Sequence, residues 1–249
     1  MGQVALVTGA AGGLGRAQVA ALADAGGTVS AHARSEPALF GASTNRPTVT
    51  PVYQDLSTPA GAREVVHKTV REHGRLDLLV ANHATMTMAP LVEADLGDWW
   101  RVLETNLLGT YALVQETVRV MRPQGGGRIV IVASEWGVTG WPNATAYAAS
   151  KAGLITLVKC LGRELSPEGI LVNAVAPGVI DTPQLEVDAR DAGISLQEMH
   201  AIYASRIPVG RIGHPEEVAR AVLLLADRNV KSLVGQTLQI NGGSNRGRV

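Results

Sequence analysis

Thr8-Gly9-Ala10-Ala11-Gly12-Gly13-Leu14-Gly15 lies between an apolar run, Val4–Val7, and a segment with helical spacing, Leu14–Ala25. A chain leaving a buried strand for a helix must turn at once, and Gly9 permits that turn. Gly13 admits the close approach of a pyrophosphate, and Gly15 lets the helix pack tightly on the strand. The start of the helix offers unpaired N–H groups and the positive end of its dipole to such an anion. Glycine clusters also serve ordinary turns. The placement of this one, strand–loop–helix at the N-terminal end of the chain, points to dinucleotide binding.

Outward from this loop, strand-like and helix-like segments alternate. Thr28–Ala33 and Thr48–Tyr53 read as strands. Pro59–His73 reads as a helix stopped by Gly74, and Leu76–Ala81 as a fourth strand. Asp98–Met121 has the pattern of one long helix and Arg128–Ala133 of a strand. Thr145–Leu165 reads as a second long helix, Leu171–Ala176 as a sixth strand. Pro215 suits the first turn of the helix Glu216–Ala226, and Thr237–Ile240 reads as a last strand. Strands apolar on both faces and separated by helices require a parallel sheet covered on both sides. No composition shift or repeat marks a boundary. The expectation is α/β: residues 1–249 as a single doubly wound, Rossmann-type domain with a mostly parallel, seven-stranded sheet. Ser35–Pro47, with Pro37, Gly41, Asn45 and Pro47, resists the scheme, and any helix there is short or broken.

Hydrophobic residues make up 46% of the 249, enough for a full core, and the formal net charge is zero. No basic cluster marks a nucleic-acid or membrane-surface partner. Asn245-Arg246-Gly247-Arg248 reads as a solvated end. The lone Cys160 excludes a disulfide within the chain and sits in an apolar helical pattern, as a buried structural thiol would. No signal-peptide pattern and no membrane-length apolar run is present, so a soluble, cytoplasmic protein is expected. No metal site is expected.

Tyr147 and Lys151 lie one turn apart on a helix face. A free tyrosine, with a pKa near ~10, is a poor base at neutral pH. An adjacent ammonium favours the phenolate and would make Tyr147 a usable general acid or base. By themselves the two residues are also an ordinary surface pair. At the end of the second strand stand Ala33, Arg34 and Ser35, where an acidic residue would hold the ribose hydroxyls and repel a 2′-phosphate. A guanidinium beside neutral residues suits that phosphate, so NADP(H) is favoured over NAD(H). A merely solvated Arg34 is the bland alternative.

With these motifs in order, the chain resembles the classical short-chain dehydrogenase/reductase family over nearly its whole length. Thr8–Gly15 matches T-G-x-x-x-G-x-G, and Tyr147 with Lys151 matches Y-x-x-x-K. Ser134 stands at the position of the catalytic serine, and Asn106, in Thr105-Asn106-Leu107, at that of the helix asparagine. Residues 177–182 match the segment after the sixth strand. Gly235-Gln236 and Asn241-Gly242-Gly243 match the C-terminal motifs, with Asn for Asp. The resemblance implies a hydride-transfer enzyme in which Ser134 polarises the substrate oxygen and Tyr147 exchanges a proton with it. Lys151 then holds the nicotinamide ribose and lowers the Tyr147 pKa, while Asn106 supports a water relay. It also implies that Asp55 and Leu56 flank the adenine, that Asn82 lies near its ribose, and that Pro177, Gly178, Ile180 and Thr182 line the nicotinamide side. The family is dimeric or tetrameric through the two long helices, so a homotetramer or homodimer is expected.

The usual N-N-A-G is here Ala81-Asn82-His83-Ala84, and His83 reads either as a neighbour of the cofactor or as a supporting, hydrogen-bonded histidine. Residues 183–211 are expected to form a helical lid. Trp136, Trp141, Met86, Leu185 and Tyr203 are the expected substrate-pocket residues, suited to an apolar or aromatic ketone, although each could simply pack beneath the lid. Glu135 reads as a polar substrate contact or a solvated side chain. The activity these features imply is NADP(H)-dependent interconversion of a secondary alcohol and a ketone. Rival readings are a reductase of 3-oxoacyl thioesters on a carrier protein, a non-catalytic dinucleotide-binding sensor or scaffold, and a lyase or dehalogenase.

Overall fold

The computed structural model describes residues 2–35 and 48–245. The irregular stretch beyond Ser35 and the basic tail from Arg246 lie outside the described residues. In chain order the elements are β1 (Val4–Val7), α1 (Gly13–Asp24), β2 (Thr28–Ala33), β3 (Val49–Tyr53), α2 (Pro59–His73), β4 (Leu78–Ala81), α3 (Leu96–Leu103), α4 (Gly109–Met121), β5 (Gly127–Val132) and α5 (Trp136–Thr139). Then come α6 (Thr145–Leu165), β6 (Ile170–Pro177), α7 (Gln184–Asp191), α8 (Leu196–Ala204), α9 (Pro215–Ala226) and β7 (Thr237–Ile240).

The seven strands form one sheet in the order β3-β2-β1-β4-β5-β6-β7, and every pairing is parallel. Successive side chains of a strand face opposite sides of the sheet. In β1, Leu6 joins Leu79, Ile129 and Ile131 beneath Val65, Leu113 and Leu154 of α2, α4 and α6. Its neighbour Val7 joins Val29, Val80 and Val130 beneath Val19 of α1 and Val222 of α9. This double covering is why the strands carry no polar alternation. The strand order reverses between β1 and β4, so the loops leaving those strands diverge and open a crevice at the carboxyl ends.

Local punctuation explains the sharpest boundaries. Thr58 caps α2 by accepting the Gly61 N–H at 3.1 Å, Pro59 fills its first turn, and Gly74 ends it in the left-handed conformation at φ 75°. The expected single helix over Asp98–Met121 is instead two helices joined by a wide turn. It begins at Leu96, where Asp95 accepts the Asp98 N–H at 2.9 Å. Over Glu104–Leu108 it becomes a π turn, and the Gly109 N–H donates to Glu104 O, five residues back. The chain is closely packed where this turn ends: a Cβ on Gly109 would stand 2.4 Å from the Leu56 carbonyl oxygen. Such turns recur at functional positions, and this one buries Asn106 completely.

At the opposite, amino-terminal end of the central strands β1 and β4, buried Asp77 accepts the Val4 N–H at 2.9 Å and both Nε and Nη2 of Arg75 at 2.9 and 2.6 Å. Arg228 joins it at 3.0 Å. Cys160 is exposed on α6, not buried as its apolar surroundings suggested. No described helix is long and apolar enough to cross a membrane.

Candidate active site

The switch-point crevice is a cleft of about 1300 Å³, and its floor begins with the glycine loop. Gly9 has φ +64°, and a Cβ there would stand 2.9 Å from the His83 Cα. A Cβ on Gly15 would meet Gly9 O at 2.2 Å, and one on Gly13 would meet the Thr182 methyl at 2.8 Å. Side chains are thus excluded at Gly9, Gly13 and Gly15, which line the cleft with Leu14. Gly12 caps α1 without any side-chain hydrogen bond, so the first N–H groups of the helix have no side-chain partner. A helix start of this kind, in a cradle without side chains, fits a dinucleotide pyrophosphate.

Beyond the ends of β2 and β3 the cleft is lined by Ala33, Arg34, Ser35, Asp55 and Leu56, where the adenine is expected. Arg34 and Ser35 are exposed. Asp55 accepts the Ser57 N–H at 2.9 Å, and that bond first of all holds its carboxyl below the ordinary range. Asn82 also lines the cleft. Its amide donates to the carbonyls of Thr8 and Gly9 at 3.1 and 3.2 Å, which ties β4 to the loop. Pro177, Gly178, Ile180 and Thr182 complete the opposite wall.

Ser134, Tyr147 and Lys151 meet in the same cleft, Ser134 from the end of β5 and the other two from α6. Lys151 is 2% exposed, and its Nζ donates to Val132 O at 2.7 Å while lying 5.4 Å from the Tyr147 ring centroid. Burial lowers its pKa to about 8. Burial also raises the Tyr147 phenol, and a hydrogen bond with Ser134 opposes that rise. The net lowering expected from Lys151 is therefore not seen: burial outweighs the opposing bond from Ser134, and the phenol lies above its ordinary value.

Asn106 does not line the cleft. Its oxygen accepts the Thr85 N–H at 2.8 Å, and its amide donates to Thr85 O at 2.9 Å and Ser150 Oγ at 3.1 Å. Ser150 Oγ in turn donates to Tyr147 O at 2.7 Å. The π turn is thereby fastened to the helix carrying Tyr147. Thr85 and Ser150 were invisible from sequence, since neither stands out in its pattern.

Trp136, Met86, Leu185 and Tyr203 line the substrate end of the cleft. Trp141 is not among the lining residues; it stacks on Trp136, centroids 5.0 Å apart and planes within 6°. Trp136 meets Tyr147 edge-on at 5.9 Å. Leu185 is buried with Ile207 and Ile212, so it fixes α7 as well as facing the cleft. Glu135 is neither solvated nor among the residues lining the cleft. It is buried, its carboxyl is bonded to Ser244 Oγ and Asn241, and burial raises its pKa. His83 is the supporting histidine: it is buried with Nδ1 2.9 Å from Thr8 Oγ1, and it also lines the cleft.

A nucleotide cradle and proton-transfer side chains sharing one crevice place the protein among Rossmann-type oxidoreductases. The family model described as enoyl-(acyl carrier protein) reductase matches residues 9–245. The 3-oxoacyl-[acyl-carrier-protein] reductase of Thermotoga maritima is 39% identical over 249 residues, covering 97% of each chain. The cis-4-hydroxycyclohexanecarboxylate dehydrogenase of Sinomonas cyclohexanicum is 36% identical over 245 residues, covering 97% of this chain and 96% of that one. Among solved structures, ElxO with NADP bound superposes with a TM-score of 0.89 at 28% identity, covering 98% of this chain and 99% of that one. The chain belongs to the short-chain dehydrogenase/reductase family.

Proposed function

We propose that the protein interconverts a secondary alcohol and a ketone with NADP(H), with Tyr147 as general acid and base. The observation that carries this reading is the meeting of Ser134, Tyr147 and Lys151 in the cleft that also holds the glycine loop. A bound nicotinamide supplies or accepts the hydride. Ser134 hydrogen-bonds the substrate oxygen, and Tyr147 donates its phenolic proton to that oxygen in reduction or removes one in oxidation. Lys151 holds the ribose and the electrostatics around the phenol. Asn106, its amide spent on Thr85 and Ser150, keeps the π turn in register for a water relay to Lys151. Arg34 takes the 2′-phosphate; the open strand end Ala33-Arg34-Ser35, free of carboxylate, supports NADP(H) over NAD(H). Residues 183–211, with α7 and α8, act as a lid on a single catalytic domain. Exposed Leu108 and Tyr111 on the long-helix face support assembly as a homotetramer or homodimer, and a cytoplasmic location accompanies this reading.

The similarity to 3-oxoacyl-[acyl-carrier-protein] reductases favours one second reading, a 3-oxoacyl thioester as the ketone. Trp136 on the cleft wall, backed by the stacked Trp141, favours a compact apolar or ring ketone. Assays of cyclic and aryl ketones beside an acyl thioester, followed by NADPH absorbance, separate the two. Tyr147→Phe should lower kcat at least ~1000-fold, within the range a lost acid–base group can cost when the phenol also orients the substrate. NADPH binding should persist. Turnover within tenfold of the unaltered protein would refute the assignment.

A further inference from the structure

Two imidazoles reach consecutive residues of the glycine loop from opposite sides. His32, on β2 and 3% exposed, has Nε2 2.8 Å from Gln54 O and Nδ1 3.4 Å from the Gly9 nitrogen. A carbonyl only accepts, so Nε2 carries the proton and Nδ1 presents a lone pair to the Gly9 N–H. The next loop residue is tied to the same place, Ala10 N–H donating to His32 O at 2.8 Å. From the loop after β4, His83 sets Nδ1 2.9 Å from Thr8 Oγ1. That hydroxyl already accepts the N–H groups of Asn82 at 3.0 Å and His83 at 3.2 Å. Both its lone pairs are used, and Val80 O lies farther, at 3.4 Å, so its proton goes to His83 Nδ1. His83 therefore has the same tautomer as His32, with its Nε2 facing the Thr105 carbonyl without a full hydrogen bond.

We propose that His32 and His83 are positioning residues, a pair of neutral acceptors that hold Thr8–Gly9 in the dinucleotide-binding shape, and that protonation of His32 releases the loop. Around His32, the Gln54 carbonyl and Asp55 favour the cation, while Lys68 opposes it. His83 faces His32 and Lys151, both of which oppose its protonation. Burial is the largest influence on each. It puts His32 below its ordinary value and His83 at about 3, so His32 titrates first on acidification. A protonated Nδ1 sets two donors against each other at Gly9, with no acceptor between them. This inference rests on the dinucleotide reading of the cleft but on no particular substrate.

The test is dinucleotide affinity, measured by fluorescence with both NADPH and NADH from pH 7.5 to 5, together with the shift each causes in the thermal midpoint. His32→Asn places an oxygen acceptor near the Nδ1 position and does not titrate. It should bind within about twofold of the unaltered protein at pH 7.5 and lose the acid weakening, which is several-fold in the unaltered protein with both dinucleotides. His32→Ala and His83→Ala should each raise Kd about tenfold at pH 7.5, the cost of one neutral hydrogen bond. The thermal midpoint without dinucleotide distinguishes this from general unfolding. An unchanged acid profile in His32→Asn, or alanine variants that bind normally, would overturn the inference. Acid weakening confined to NADPH would assign the effect to the 2′-phosphate and overturn it as well. Failure of the unaltered protein to bind either dinucleotide would remove the cofactor reading itself.

Discussion

Replacing Lys151 by methionine should make the protein more stable relative to the unaltered chain at neutral pH than at alkaline pH, while abolishing turnover. Lys151 is buried, and burial lowers its pKa from 10.5 to about 8. At ~1.4 kcal/mol per pH unit, the charged form costs the folded state about 3 kcal/mol. The sign follows from proton counting. Between pH 8 and 10.5 the unfolded chain binds the proton that the folded one has released, so stability rises with pH across that window. Below pH 8 the full cost is present. Methionine matches the lysine stem but for its terminal nitrogen and carries no charge, so Lys151→Met escapes this cost at every pH. Its loss of the 2.7 Å bond to Val132 O adds an offset that does not depend on pH. The unaltered protein should therefore gain about 2.5 kcal/mol on the variant between pH 7 and 10, or about 5–10 °C in thermal midpoint for a chain of this size. Paired thermal scans without cofactor, at half-unit pH steps, read the difference. A constant offset from pH 7 to 10 would refute the claim that this amine is held in the cleft at an energetic cost.

Arg34→Asp should move the ratio of kcat/KM for NADPH over NADH at least ~10-fold toward NADH, because a carboxylate repels the 2′-phosphate and holds ribose hydroxyls. An unchanged ratio would make Arg34 a bystander. Asp77→Ala should lower unfolding stability by about 2–4 kcal/mol in denaturant titration. It orphans the buried Val4 N–H, which costs roughly 1–3 kcal/mol, and frees two half-exposed arginines, which add less. A loss under 1 kcal/mol would show that the cluster at the amino end of the central strands contributes little.

The architecture was legible where residues punctuate it. Thr58-Pro59 and Gly74 fix α2 to the residue, and the apolar strands that declare a doubly covered sheet need no long-range information. The Ser195-x-x-Glu198 capping box that starts α8 could also have been read. The break between α3 and α4 could not. A π turn shifts the apolar pattern by one residue, within the tolerance of any helical period, and the close contact where it ends is with a carbonyl on a distant loop. The glycine loop, Ser134, Tyr147 and Lys151 were legible because their spacing survives in one dimension. His32, Thr85, Ser150 and Glu135 were not. Each acts through partners 20 to 110 positions away, and polar residues inside strands or helices carry no local mark of such pairings.

The bond from Ser244 to Glu135 makes the last turns of the described chain part of the catalytic neighbourhood. A chain cut back to Ile240 would leave a carboxyl stranded beside Ser134 with neither Asn241 nor Ser244 to receive it, and a bulky fusion there would pull on the same tether. Trimming or tagging that end would thus disturb the segment that carries Ser134, from a place remote in the sequence.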